Sequence, residues 1–157
     1  MTEVLRIAKL CEKLSEKHDS RNPFEIAAQE GIHLRFCPEF QTLKGMYKVI
    51  LGQRFIFLNG NLKRREAREV LAHELGHDTL HREMAENSIV QDHFLLDMRL
   101  KPEYEANLFA AHLLLDDNEV AEVLKEGLSL EESAARLSTP VPFLEMKITI
   151  LEEKGII

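Results

Sequence analysis

The segment VLAHELGH at 70–77 constrains this chain more than any other. Val70, Leu71 and Leu75 give the helix it predicts an apolar character, so the helix is expected to be buried. Two histidines and a glutamate inside a buried helix are costly unless each finds a partner. His73 and His77 are four apart, so they lie on one face, about 6 Å apart along the axis. Two imidazoles in that register can reach one ion, and zinc accepts nitrogen ligands at about 2.0–2.1 Å in tetrahedral geometry. Glu74 is rotated about 100° from His73 and does not join them as a ligand. It faces the open side, where a carboxylate can take a proton from an activated water. Gly76 leaves room for another element to pack close beside the site.

A catalytic zinc site uses three protein ligands and one open position. His81 lies four after His77, but the span from His73 to His81 is about 12 Å, too long to close around one ion. The extended metzincin pattern needs glycine and histidine where this chain has Leu80 and Glu83. His81 is therefore expected beside the ligands or at the rim. The next apolar helix, PEYEANLFAAHLLL from Pro102, offers Glu103 and Glu105. Glu103 has an ordinary explanation, because an acid in a first turn suits the helix dipole. Glu105 lies deeper, beside Leu108 and Phe109, and is expected to be the third ligand. Tyr104 and His112 on the same helix are candidates for the surroundings of the site or its substrate. For His112 the plainer reading is a hydrogen-bonded, partly buried histidine, with lining of the site as the alternative.

The rest of the chain reads as an α+β fold, mainly helical with a small antiparallel sheet of three strands. Residues 3–17 form an amphipathic helix with Ile7, Leu10, Cys11 and Leu14 on one face. Asn22 is placed to cap a short second helix, with Glu25 completing the cap and Gly31 ending it. Strands are expected at 32–36, 46–51 and 54–58, the last two joined by a Gly52-Gln53 turn. Asn61 is placed to cap the helix carrying HELGH, from about Leu62 to His81. Residues 82–101 read as a long connection with some helical turns, of a length that often serves function. Helices follow near 102–115, 117–127, 129–137 and 142–154. The chain divides into a core at 1–127 and a helical extension at 128–157, expected to pack on the core.

The net charge of −7 argues against a broad nucleic-acid-binding face. The last two helices, separated by STPVP, have the outline of a helix-turn-helix. Glu145, Glu152 and Glu153 set against Lys147 and Lys154 make that a poor surface for phosphates, so no direct DNA binding is expected. Cys11 and Cys37 do not form a C-x-x-C pair and read as buried, reduced thiols. The N-terminus lacks the apolar core of a signal peptide, and the apolar stretch 108–115 is too short to span a bilayer. A cytoplasmic protein without membrane contact is expected.

HELGH followed 28 residues later by EANLFAAHLLL resembles the ImmA/IrrE family of zinc metallopeptidases. The preceding LKGMYKVILGQRFIFLNGNLKRREAREVLAHELGHDTLH matches the family's style, and the likeness covers roughly residues 20–115. The resemblance implies His73 and His77 as ligands of a single zinc, Glu74 as general base and Glu105 as third ligand. It also implies a minimal thermolysin-type (zincin) core. The implied substrates are helix-turn-helix repressors that silence mobile elements, prophages or stress genes. A non-catalytic regulator, holding structural zinc and sequestering a repressor, is the alternative. An extended substrate is expected along an open sheet edge at Gly45, Met46 and Tyr47, where glycine allows close approach of a second backbone.

Overall fold

The structure is a computed structural model that describes residues 1–87, 90–92 and 100–157. Two helices open the chain, α1 (Glu3–His18) and α2 (Pro23–Gln29). Three strands follow, β1 (His33–Cys37), β2 (Gly45–Ile50) and β3 (Gln53–Asn59). The motif helix is α3 (Arg64–Leu80). The 82–101 connection contributes α4 (Arg82–Asn87) and β4 (Val90–Asp92); its residues 88–89 and 93–99 lie outside those described. The chain ends with α5 (Lys101–Leu114), α6 (Asp117–Leu124), α7 (Leu130–Arg136) and α8 (Val141–Glu153). No helix among the described residues is long and apolar enough to cross a membrane.

The fold is mainly helical with a small sheet, as the patterning requires, but the sheet is mixed and has four strands in the order β1-β3-β2-β4. β1 runs parallel to β3, with His33 opposite Phe55, while β2 is antiparallel to both β3 and β4. Alternation along β2 buries Gly45, Tyr47 and Val49. The β2–β3 turn is Leu51-Gly52, one residue earlier than the glycine-first turn the sequence suggests. Both residues have positive φ, 50° and 77°. Such a turn matches the twist of the flanking strands, and its first position favours asparagine over leucine.

Local chemistry explains most helix ends. Asn22 caps α2 by accepting from the Phe24 N–H. Glu25 does not complete that cap, because its carboxylate accepts from the Ser20 hydroxyl. Gly31, at φ 73°, ends the turn after α2. Ser129 and Glu132 form the reciprocal capping box that opens α7. Asn61 does not cap α3: its side chain donates to the carbonyls of Pro38 and Phe40, and Lys63 takes the cap position without a side-chain bond.

α3 is the centre of the molecule. Residues from Val70 to Asp78 are all buried. β2 and β3 pack on one side of it and α5 crosses the other. Gly76 sets the closeness of that crossing, since a Cβ there would stand 3.0 Å from both the Cα and the carbonyl oxygen of Ala106. α1 and α8 then cover the outside of α5. Phe143, Leu144, Ile150 and Leu151 of α8 join the same buried cluster as Leu108 and Phe109 of α5. Cys11 is buried within it and Cys37 is only half-buried; both are free thiols.

Two measurements check this account. Leu51→Asn should raise stability by about 1 kcal/mol in chemical denaturation, because asparagine relieves the left-handed cost that leucine bears. Gly76→Val should lower it by about 1–3 kcal/mol, because the backbone of α5 has no room to yield.

Candidate metal centre

The site is built by the α3–α5 crossing. Helical spacing stacks His73 and His77, and their Nε2 atoms are 3.1 Å apart. From α5, Glu103 brings Oε2 to 3.0 Å from His73 Nε2 and Oε1 to 3.2 Å from His77 Nε2. His73 and His77 are fully buried and the Glu103 side chain is 16% exposed. Among the described residues, these three form the group that could hold a metal ion.

Proton positions sharpen that reading. His73 Nδ1 lies 2.7 Å from Oδ1 of Asn107, a carbonyl that can only accept. Nδ1 therefore carries the hydrogen, and in a neutral ring Nε2 presents a lone pair. That lone pair faces a carboxylate oxygen at 3.0 Å, an arrangement that calls for a cation between them. Ligand atoms at about 2.0–2.1 Å from a tetrahedral zinc stand roughly 3.3 Å apart, close to the three separations found. The donor set of two imidazoles and one carboxylate suits a divalent ion of borderline softness.

The carboxylate that the structure brings to the two histidines is Glu103, while Glu105, the expected third ligand, lies away from them. Along a helix, each residue adds about 100°, so Glu103 and Asn107 share a face and Glu105 lies roughly opposite. Glu105 points toward α1, with Oε1 3.3 Å from His81 Nε2 and Oε2 4.0 Å from the Arg6 guanidinium. Burial and the neighbouring Glu3 raise its carboxyl above the ordinary range. His81 stands beside the ligands, its Nδ1 3.0 Å from Nδ1 of His77. Burial, then the neighbouring His77 and His73, pushes His81 down to about 4.

Glu74 is completely buried one residue along from His73. It lies against β2 at Gly45, where a Cβ would come within 2.9 Å of Glu74 Oε1 and 2.7 Å of Val70 Cγ1. Gly45 thus makes space for the glutamate. The expected open edge at Gly45, Met46 and Tyr47 is corrected by the pairing: β3 holds one side of β2, and β4 the other, with Gly45 opposite Asp92 and Tyr47 opposite Val90. Met46 is half-buried. Tyr47 is buried and donates to Asp78 at 2.5 Å, while Arg54 holds the other oxygen of Asp78 at 2.8 Å.

Tyr104 packs, half-buried, against the core. His112 lies nine residues beyond Glu103, about 13 Å along the helix, and belongs to another network. Its Nδ1 is 2.9 Å from Nζ of buried Lys147, which also donates to Asp117 at 2.5 Å. Burial and the Lys147 charge hold His112 near 4. The network, completed by Glu12 and Lys154, ties α1, α5, α6 and α8 together.

Comparison with known proteins places the chain in a peptidase family. It belongs to the family described as the IrrE N-terminal-like domain (peptidase M78), whose model matches residues 27–149. A metallopeptidase named ImmA, from Bacillus subtilis strain 168, is 34% identical over 136 residues, covering 84% of this chain and 78% of that protein. An uncharacterized immunity region protein 2 of Bacillus phage phi105 is 30% identical over 136 residues, covering 87% of this chain and 85% of that one.

Asn107 supplies the signal that would have chosen between the glutamates, since Glu103 and Asn107 are an i, i+4 pair and both serve His73. Asn107→Leu should cost about 1–3 kcal/mol in thermal or chemical unfolding, by stranding the buried Nδ1–H of His73. Asn107→Asp, which keeps an acceptor, should cost less.

Proposed function

We propose that the protein is a zinc-dependent, site-specific endopeptidase that cleaves a helix-turn-helix repressor of a mobile element, prophage or stress regulon. The observation that carries this reading is the convergence of His73, His77 and Glu103 with a fully buried Glu74 one residue from the first ligand. Zinc bound there supplies Lewis-acid polarisation of the scissile carbonyl and lowers the pKa of a water. His73 and His77 would hold the ion through Nε2, and Glu103 would contribute its carboxylate. Glu74 takes the proton of the attacking water and gives it to the leaving amine, the acid–base work that a carboxylate in this position performs. Packing against Gly45 fixes where that carboxylate stands, and its full burial keeps bulk water from competing for it. The arrangement of a motif helix, a second helix bringing a glutamate, and a strand passing the general base fits a minimal zincin core.

Membership of a metallopeptidase family and similarity to the two relatives above support peptidase activity in an immunity setting. A repressor substrate accords with that setting. A sequestering protein with structural zinc has no need of a buried carboxylate beside the ligands, so Glu74 favours cleavage over the non-catalytic alternative. Specificity is expected from docking outside the ligand cluster, as a cytoplasmic enzyme with selective targets requires.

The test is Glu74→Gln, which keeps the shape of the side chain and removes the base. Cleavage of the repressor encoded nearest the gene should fall by about 10²–10⁴-fold while zinc content and fold are retained. Wild-type cleavage by this variant would remove Glu74 from the mechanism.

A further inference from the structure

Buried Glu105 and half-buried His81 stand beside the candidate centre, and neither is needed to complete its ligand set. We infer that they form a positioning relay for His77, in which Glu105 orients His81 and His81 fixes the ring and tautomer of His77. This rests on the metal reading given above. With His77 presenting Nε2 to an ion, its neutral ring carries hydrogen on Nδ1. That N–H points at Nδ1 of His81, 3.0 Å away, and can donate only if the His81 atom bears a lone pair. The hydrogen of His81 then sits on Nε2, which faces the Glu105 carboxylate at 3.3 Å. Each donor meets an acceptor from Glu105 to the ion-facing nitrogen.

Backbone geometry holds the middle member in place. α3 ends at Leu80, and His81 is its C-terminal cap, with φ −130° and ψ 30°. Its N–H still donates to the His77 carbonyl at 2.7 Å. The break turns the imidazole back over the preceding turn. On the other side, Arg6 lies 4.0 Å from the far oxygen of Glu105 and is itself gripped by Glu3 at 2.6 and 2.9 Å. The relay thus starts on α1 and makes the first helix of the chain part of the support for a ligand on α3. The two ligands are oriented differently: His73 leans on an amide, and His77 on a second imidazole backed by a carboxylate. Such partners of metal-binding histidines set ring orientation and basicity.

The test measures zinc affinity of the full chain by chelator competition, with thermal unfolding alongside. His81→Leu should raise the Kd for zinc by about 10–100-fold. His81→Asn should restore most of that loss, because its Oδ1 can accept from His77 as Asn107 accepts from His73. Glu105→Leu should weaken binding less than His81→Leu does. Wild-type affinity in His81→Leu, or failure of His81→Asn to restore any, would overturn the relay. Should His81→Leu not fold, ¹⁵N histidine spectra of the zinc-loaded wild type decide. The relay requires hydrogen on Nδ1 of His77 and on Nε2 of His81, and the opposite tautomer at His81 overturns it. A wild type that takes up no zinc would instead overturn the metal reading, and the relay with it.

Discussion

The close crossing of α3 and α5 is the constraint on which the rest depends. Gly76 lets the two backbones approach until Ala106 fills the space where a side chain would stand. Ala106 lies between Glu105 and Asn107, so the contact also fixes the rotation of α5. That rotation sends Glu103 and Asn107 to His73 and sends Glu105 the other way. A wider crossing would carry Glu103 away from both histidines, because carboxylate and imidazole atoms have a margin of only tenths of an ångström around a metal. The packing of two apolar helices and the assembly of a polar cluster are therefore one geometric event.

The sequence discloses the parts of the site carried by a single helix. His73, Glu74 and His77 are readable because their relation follows from helical periodicity alone. The glutamate on α5 is different, since its role depends on how a second helix is rotated. Depth in an apolar segment favours Glu105, and Glu105 is indeed the more buried residue, at 7% exposure. Its partners, however, are His81 and α1. A buried carboxylate calls for a cation or a donor, and here it finds an imidazole N–H. The clue that separates the two glutamates is Asn107, whose amide shares a face with Glu103.

The sheet was readable to a similar degree. β2 and β3 announce themselves by alternation and by the turn between them. β1 has strand character, but nothing in five residues says which neighbour it will pair with or in which direction. β4 is three residues long, too short for periodicity to register, so β2 passes for an edge when read in isolation. Both failures concern long-range pairing, which local pattern does not encode.

α3 resolves the apparent conflict between its burial and its polarity by sending each polar group to a different element. His73 reaches Asn107 on α5, Glu74 rests against Gly45 on β2, His77 meets His81 beyond its own end, and Asp78 takes Tyr47 and Arg54 from β2 and β3. A helix solvated on one side could leave some of these groups to water. A helix buried all round cannot, because an unmatched polar group in the interior costs about 1–3 kcal/mol. Every element that packs on α3 must then arrive with a specific partner or a specific absence of side chain. This demand makes the core selective about register, since a shift of one residue in β2 would put Met46 where Gly45 makes way for Glu74. The same demand holds Glu74 and the two histidines in place, so the folding requirements of the core and the geometry of the cluster coincide.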